Sequence, residues 1–101
     1  MLNNIIGDLV DDDSIIAAAL INPDGFTVER TSIDLRPNDL MGLFDLTEDA
    51  DIVSIVTTDF TVTRRKFATG HVVIIQSPKN ANIGKARLRL EQSCALIENY
   101  L

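Results

Sequence analysis

The sequence predicts an α+β domain in which a five-stranded antiparallel sheet carries helices on both faces, in the order α-β-β-α-β-β-β-α. Apolar residues recur at helical spacing near both ends of the chain. Between them lie five apolar or alternating runs, and most of the connections are too short for parallel crossovers. A length of 101 residues is usual for one domain, so we expect a single core over residues 1–101.

The composition indicates an aliphatic core and disfavours several classes of partner. Apolar residues make up 46% of the chain, while Trp is absent and Tyr occurs once. The net charge of -6 argues against nucleic acid and anionic membrane surfaces, which both need a basic footprint. No apolar run approaches the roughly 20 residues of a membrane span, and no signal peptide is evident. The lone Cys94 suits a reducing compartment, so we expect a cytoplasmic protein without membrane insertion.

Residues 2–10 predict a short first helix followed by a turn. The helix has one apolar stripe, formed by Leu2, Ile5, Ile6, Leu9 and Val10. The run of aspartates at residues 11–13 then breaks the pattern, and clustered like charges indicate a solvated turn. A hard cation is the alternative occupant, but the further oxygen donors and the glycine of a calcium loop are missing.

The next two segments predict a hairpin. Residues 14–21 form an almost unbroken apolar run, and residues 26–32 alternate in a strand-like way. Between them lies Asn-Pro-Asp-Gly at residues 22–25. Pro fixes φ, Asn and Asp close turns through their side chains, and Gly accepts a positive φ, so this sequence indicates a tight turn.

The middle segment, residues 33–50, predicts a weak helix of about two to three turns. Pro37 with Asn38 and Asp39 offers its start. Its apolar part is brief and consists of Leu40, Met41, Leu43, Phe44 and Leu46. These side chains cover more than one side of so short a helix, so either the core or a second subunit must bury the outer side.

Three further runs, residues 52–57, 60–67 and 71–77, predict an antiparallel meander because their connections are short. The first and last runs are apolar enough to be well buried. In the middle run Phe60 and Val62 share one face, and we expect the opposite face to be solvated. That second face carries Thr61, Thr63 and Arg65.

The last segment predicts a long helix capped by Asn80 or Asn82. Its residues step by three or four along one apolar stripe: Ile83, Ala86, Leu90, Cys94, Ile97 and Leu101. The helix should therefore lie on the sheet with a polar back, and Leu88 should be exposed.

The sequence predicts no catalytic, cofactor-binding or metal site. Cys94 lies on the apolar stripe, which indicates a buried structural thiol, and His71 has no carboxylate or metal-ligand spacing around it. No glycine-rich phosphate loop is present. Arg64 and Lys66 share a strand face, which is either solvated or an electrostatic docking spot for an acidic partner surface.

Two motifs resemble the roadblock (dynein light chain) family. The apolar strand that runs into Asn-Pro-Asp-Gly-Phe at residues 22–26 is similar to the family's first hairpin. The strand His-Val-Val-Ile-Ile at residues 71–75, followed by Asn-Ala-Asn-Ile-Gly-Lys-Ala-Arg at residues 80–87, is similar to its last strand and helix start. The resemblance covers nearly the whole chain and implies a profilin-like roadblock fold. The middle helix is shorter here than is usual in that family.

The resemblance also implies a function. It implies a non-catalytic homodimer, or one half of a heterodimer with another roadblock protein, that binds and regulates or scaffolds a small Ras-like GTPase. We expect the dimer or partner interface at the middle helix and the strand after it: Leu40, Met41, Leu43, Phe44, Ile52, Val53, Ile55 and Val56. The alternative is a structural dimerisation subunit of a motor, motility or polarity complex, without nucleotide-dependent binding. A small-ligand sensor is disfavoured by the low aromatic content.

Overall fold

The computed structural model describes residues 2–32, 35 and 51–101, except the side chains of residues 2 and 3. The described helices and strands are α1 (Leu2–Asp8), β1 (Ala17–Ile21), β2 (Thr27–Arg30), β3 (Ile52–Val56), β4 (Phe60–Lys66), β5 (Val72–Pro78) and α2 (Ile83–Glu98). The predicted middle helix, with Leu40, Met41, Leu43 and Phe44, lies outside the described residues.

The strands form one antiparallel sheet in the order β2-β1-β5-β4-β3. This confirms the predicted five-stranded antiparallel sheet, the first hairpin and the meander of the last three strands. The hairpin joins the meander because β1 pairs with β5, with Ala19 opposite Ile74. Among the described strands, β2 and β3 are therefore the two edges.

Both described helices pack on the same face of the sheet. The main core cluster joins Ile6 and Leu9, at α1, to the apolar stripe of α2 and to alternate residues of β1 and β5. The α2 stripe is buried as predicted: Ala86, Leu90, Cys94 and Ile97. A helix on the opposite face was expected from the middle segment, which is outside the described residues.

The turn before β1 differs from the prediction of a solvated acidic turn. Asp11 is the organising residue, because its Oδ1 accepts hydrogen bonds from the backbone N–H groups of Asp13, Ser14 and Ile15 at 3.0, 2.8 and 2.8 Å. Its Oδ2 accepts from the Ser14 hydroxyl at 2.6 Å. The carboxylate is thus largely removed from solvent. Because Ser14 and Ile15 belong to this turn, β1 begins at Ala17 rather than at Ser14.

These hydrogen bonds also set the ionisation of Asp11. Burial alone would raise the pKa of this carboxyl, but the Ser14 hydroxyl and the three backbone N–H groups favour the charged form. Together they hold the pKa of Asp11 well below its usual range.

The side chain of Arg89, on α2, also contacts the C-terminal end of α1. Arg89 Nη2 donates to the carbonyl oxygens of Asp8 at 2.7 Å and of Leu9 at 3.4 Å, which lie where α1 ends. Carbonyl groups at a helix C-terminus attract cations, so Arg89 caps α1. Arg89 Nε also lies 3.4 Å from Asp11 Oδ2, and Lys85 Nζ lies 3.0 Å from Asp13 Oδ2.

The local turn and cap predictions are confirmed. Asn22 Oδ1 accepts from the N–H groups of Asp24 at 3.1 Å and Phe26 at 2.9 Å, and Gly25 has φ +90°. Because the turn uses Phe26, β2 starts at Thr27. Asn82 is the residue that caps α2, with its Oδ1 accepting from the Lys85 N–H at 3.1 Å.

Candidate interaction surface

The edge strand β3 is the most apolar open edge in the described part of the chain. Among the described strands, it has a neighbour on one side only. Ile52, Val53 and Ile55 are half-buried, whereas Val56 is 77% exposed. The structure thus brings these four expected interface residues together on one edge, next to backbone groups that can accept another strand.

The direction of the backbone groups in β3 follows from the hydrogen bonds at its two ends. The Lys66 N–H donates to the Asp51 carbonyl at 2.7 Å, and the Thr57 N–H donates to the Phe60 carbonyl at 2.8 Å. Backbone groups alternate in direction along a strand. Val53 and Ile55 therefore also point to β4, and the N–H and C=O groups at Ile52, Ser54 and Val56 point to the open side.

The side chains of β3 alternate between two faces. On the helix-bearing face Ile52 lies opposite Arg65, and Ser54 lies opposite Thr63. Val53 and Ile55 lie on the other face and pack against a second core cluster, formed by Ile21, Val62, Val72 and Ile74. The edge is therefore apolar on both faces.

An open groove of about 410 Å³ lies between the start of β3 and α2. It is lined by Asp51, Ile52, Arg65, Arg87, Leu88 and Glu91. Arg65 Nε pairs with Glu91 Oε1 at 3.2 Å, and the guanidinium lies 5.5 Å from the centre of the Phe67 ring. Leu88 is 59% exposed, as predicted, but the sequence did not indicate that it lines the same groove as Ile52.

The prediction that β4 has a solvated face is wrong. Thr61 and Thr63 are 3% and 0% exposed, on the same face as the helices. Burial is tolerated because the Thr63 hydroxyl forms a hydrogen bond of 2.8 Å with the Ser54 hydroxyl on the neighbouring strand. The hydroxyl of threonine suggests polar surface, but its methyl group and a cross-strand partner also suit it to a buried strand.

The structure does not expose Arg64 and Lys66 as a docking pair, although both lie on β4. Arg64 is only 5% exposed and lies between Val53 and Ile74 in the register of the sheet. Lys66 is exposed. A buried guanidinium cannot serve as an accessible docking point, so Lys66 alone of this pair stays a candidate for electrostatic contact.

Cys94 and His71 are the single cysteine and the single histidine of the chain. Cys94 is 3% exposed, as predicted, and its burial is the main cause that raises the pKa of the thiol to about 11. His71 Nδ1 shares a hydrogen bond of 2.8 Å with the Thr69 hydroxyl. No group of three His, Cys, Asp or Glu side chains among the described residues could hold a metal ion. Neither described helix has the length and apolar run needed to cross a bilayer.

The fold has clear counterparts among solved structures, although no family model and no curated protein matches the sequence. A roadblock/LC7 domain from Streptomyces avermitilis superposes with a TM-score of 0.80 at 15% identity, covering 97% of this chain and 95% of that one. MglB from Myxococcus xanthus gives 0.77 at 14% identity, covering 98% and 86%. Profilin IB from Acanthamoeba castellanii gives 0.70 at 15% identity over the full length of both chains.

These likenesses confirm the fold: the chain has the profilin-like, roadblock-type fold that the sequence motifs imply. MglB from Thermus thermophilus is a gliding protein, and MglB has also been solved in a tetrameric arrangement. At such low identity the likeness concerns the fold and not the activity.

Proposed function

We propose that this chain is a non-catalytic interaction module that pairs with a second copy, or with another roadblock-type protein, and binds a small Ras-like GTPase in the cytoplasm. The observation that carries the proposal is the roadblock-type fold combined with the open apolar edge at β3. The sequence motifs that resemble the roadblock family supply the expected partner.

The edge strand provides a physical reason for pairing. Its outward N–H and C=O groups satisfy their hydrogen bonds either with water or with another strand, and Val56 is 77% exposed beside them. Two such edges that join about a two-fold axis form one continuous sheet across both copies. Pairing also buries Val56, which adds hydrophobic stabilisation to the hydrogen bonds.

Binding of a GTPase is proposed on the composite surface that the pair presents. Leu40, Met41, Leu43 and Phe44 remain the proposed partner contacts from the middle segment, which lies outside the described residues. The module regulates its partner only when its affinities for the two nucleotide states differ, because equal affinities shift no equilibrium.

A second candidate function is a structural subunit of a motility assembly that binds without regard to nucleotide. The likeness to MglB, a gliding protein in Thermus thermophilus, favours this alternative. Both candidates require pairing, so only the dependence on nucleotide separates them.

The test is calorimetric titration of the purified chain with the Ras-like GTPases of its own genome, each loaded with GDP or with a non-hydrolysable GTP analogue. The GTPase proposal predicts that one partner binds in one nucleotide state with a Kd at least about tenfold lower than in the other, within the usual range of coupling. Equal affinities would support the structural alternative. Absence of binding to every GTPase in both states would contradict the proposed partner.

A further inference from the structure

The groove between β3 and α2 combines apolar surface with charge. Its apolar part is formed by Ile52, on the strand side, and by Leu88, on the helix side. Leu88 is 59% exposed although it lines this concave surface. A single exposed leucine is ordinary, but one that lines a concavity gains hydrophobic stabilisation when a ligand covers it. The two side chains therefore offer a place for an apolar group of a ligand.

Arg65 forms a fixed wall of the groove. It lies on β4 directly opposite Ile52 in the register of the sheet. Its Nε pairs with Glu91 Oε1 at 3.2 Å, and its Nη1 donates to the Lys66 carbonyl at 2.6 Å. Its guanidinium also lies 5.5 Å from the centre of the Phe67 ring, and the side chain is only 20% exposed. These contacts hold Arg65 in place, and Glu91 balances its charge.

The charge that remains for a ligand belongs to Arg87. This residue lies one turn before Glu91 on α2, at the i,i+4 spacing that allows an ion pair. Glu91 pairs with Arg65 instead, and none of the ion pairs among the described residues includes Arg87. Arg87 is exposed and lines the groove together with Leu88. The helix side therefore presents an aliphatic side chain and an uncompensated guanidinium.

The strand side of the groove has the opposite polarity. Asp51, the residue before β3, is exposed and lines this side. A carboxylate of a ligand is therefore repelled from the strand side and attracted to Arg87 on the helix side. The complementary ligand carries an aliphatic side chain with one carboxylate near it, and it places that carboxylate toward α2.

The dimensions of the groove favour a peptide segment over a small molecule. Its volume of about 410 Å³ lies toward the lower end of small-molecule pockets, which hold about 300 to 1,000 Å³. Such pockets enclose most of the surface of their ligand, whereas this groove is open to solvent. A peptide can place one or two side chains in the groove while its backbone stays hydrated, so it loses few hydrogen bonds on binding.

We propose that the groove between β3 and α2 docks an acidic, aliphatic peptide segment of a partner protein. A leucine, isoleucine or valine of the segment lies between Ile52 and Leu88, and an aspartate or glutamate pairs with Arg87. The site lies between α2 and the helix-bearing face of the sheet, whereas pairing through β3 extends the sheet in its own plane. It is therefore a further surface, separate from the proposed pairing edge and from the middle segment.

The test is a fluorescence-anisotropy titration with short synthetic peptides. Each peptide carries one leucine and one aspartate or glutamate, adjacent or a few residues apart, in a background of alanine and serine. At least one spacing should bind at low salt with a Kd of about 100 μM or lower. The same peptide with asparagine or glutamine in place of the acid should bind about fivefold more weakly. Absence of binding by every acidic peptide, or equal binding of the neutral peptides, would overturn the proposal.

Two substitutions assign the binding to the groove. Leu88→Ala and Arg87→Gln should each raise the Kd of the best peptide about fivefold, because the first removes apolar surface and the second removes the cation. In Arg87→Gln the acidic and neutral peptides should bind alike, which a merely structural change would not produce. The matched controls are Leu96→Ala and Lys79→Gln, at exposed residues that do not line the groove, and they should leave the Kd unchanged.

The variants also separate this site from the proposed pairing. An unchanged Kd for both Leu88→Ala and Arg87→Gln would overturn the placement of the peptide in the groove. By light scattering, both variants should keep the molar mass of the wild type, because neither residue lies on the β3 edge. If no peptide binds and Leu88→Ala lowers the molar mass, the groove is occupied by a second copy, and the peptide proposal is overturned.

Discussion

Replacement of Leu90 by alanine should lower the free energy of unfolding by about 3 kcal/mol. Leu90 is 0% exposed and belongs to the cluster that joins α2 to α1 and to the sheet. Truncation removes the transfer free energy of the side chain and leaves a cavity between three elements. Urea denaturation followed by circular dichroism, at one fixed protein concentration, measures the change.

The matched control is Leu96→Ala, the same substitution on the same helix. Leu96 is 54% exposed, so its truncation should change the free energy of unfolding by less than about 0.5 kcal/mol. Similar losses for both variants would contradict the placement of the α2 stripe against the sheet.

Replacement of Asp11 by alanine should cost about 2 to 3 kcal/mol of stability. The change removes the acceptor of four hydrogen bonds and leaves Ser14, which is 1% exposed, with an unpaired hydroxyl. Asp13→Ala is the control, since it removes only an ion pair with Lys85 and the Asp13 side chain is 78% exposed. Equal effects from both variants would show that surface charge, rather than the hydrogen-bonded turn, stabilises this region.

The pH dependence of stability provides a second readout for Asp11. Its pKa is lowered by folding, so the folded state favours the charged carboxylate. The stabilisation is complete above the pKa of the unfolded chain and is lost as the pH falls toward the folded pKa. The difference in stability between the wild type and Asp11→Ala should therefore shrink below about pH 4. A difference that stays constant down to pH 2 would contradict the role of the charged carboxylate.

Much of the fold could be predicted because the signals are local in the sequence. The Asn-Pro-Asp-Gly turn and the Asn82 cap each depend on hydrogen bonds between residues at most four positions apart. The α2 stripe repeats with the period of the helix, so its buried face could be predicted from spacing. The interacting residues of these features lie close together in the sequence, so the features could be predicted without knowing the rest of the fold.

The features that were mispredicted depend on contacts between distant segments. The burial of Thr63 depends on Ser54 of the adjacent strand, and Arg64 is buried where it lies between Val53 and Ile74 of its two neighbouring strands. The sequence indicates a solvated charge at Asp11 because its turn partners Ser14 and Ile15 also fit the apolar run of the following strand. The groove was not predicted because its two sides, the start of β3 and α2, come together only when α2 packs on the sheet.

The most direct test of the proposed pairing module is the molar mass in solution by size-exclusion chromatography with light scattering. We expect twice the 11.1 kDa of one chain for the wild type and for Val28→Glu, and a single-chain mass for Val56→Glu at the same concentration. Val56→Glu places a carboxylate on the β3 edge where the second copy is proposed to pair, whereas Val28→Glu places one on the opposite edge strand. A single-chain mass for the wild type, or dissociation by Val28→Glu instead of Val56→Glu, would contradict pairing through β3.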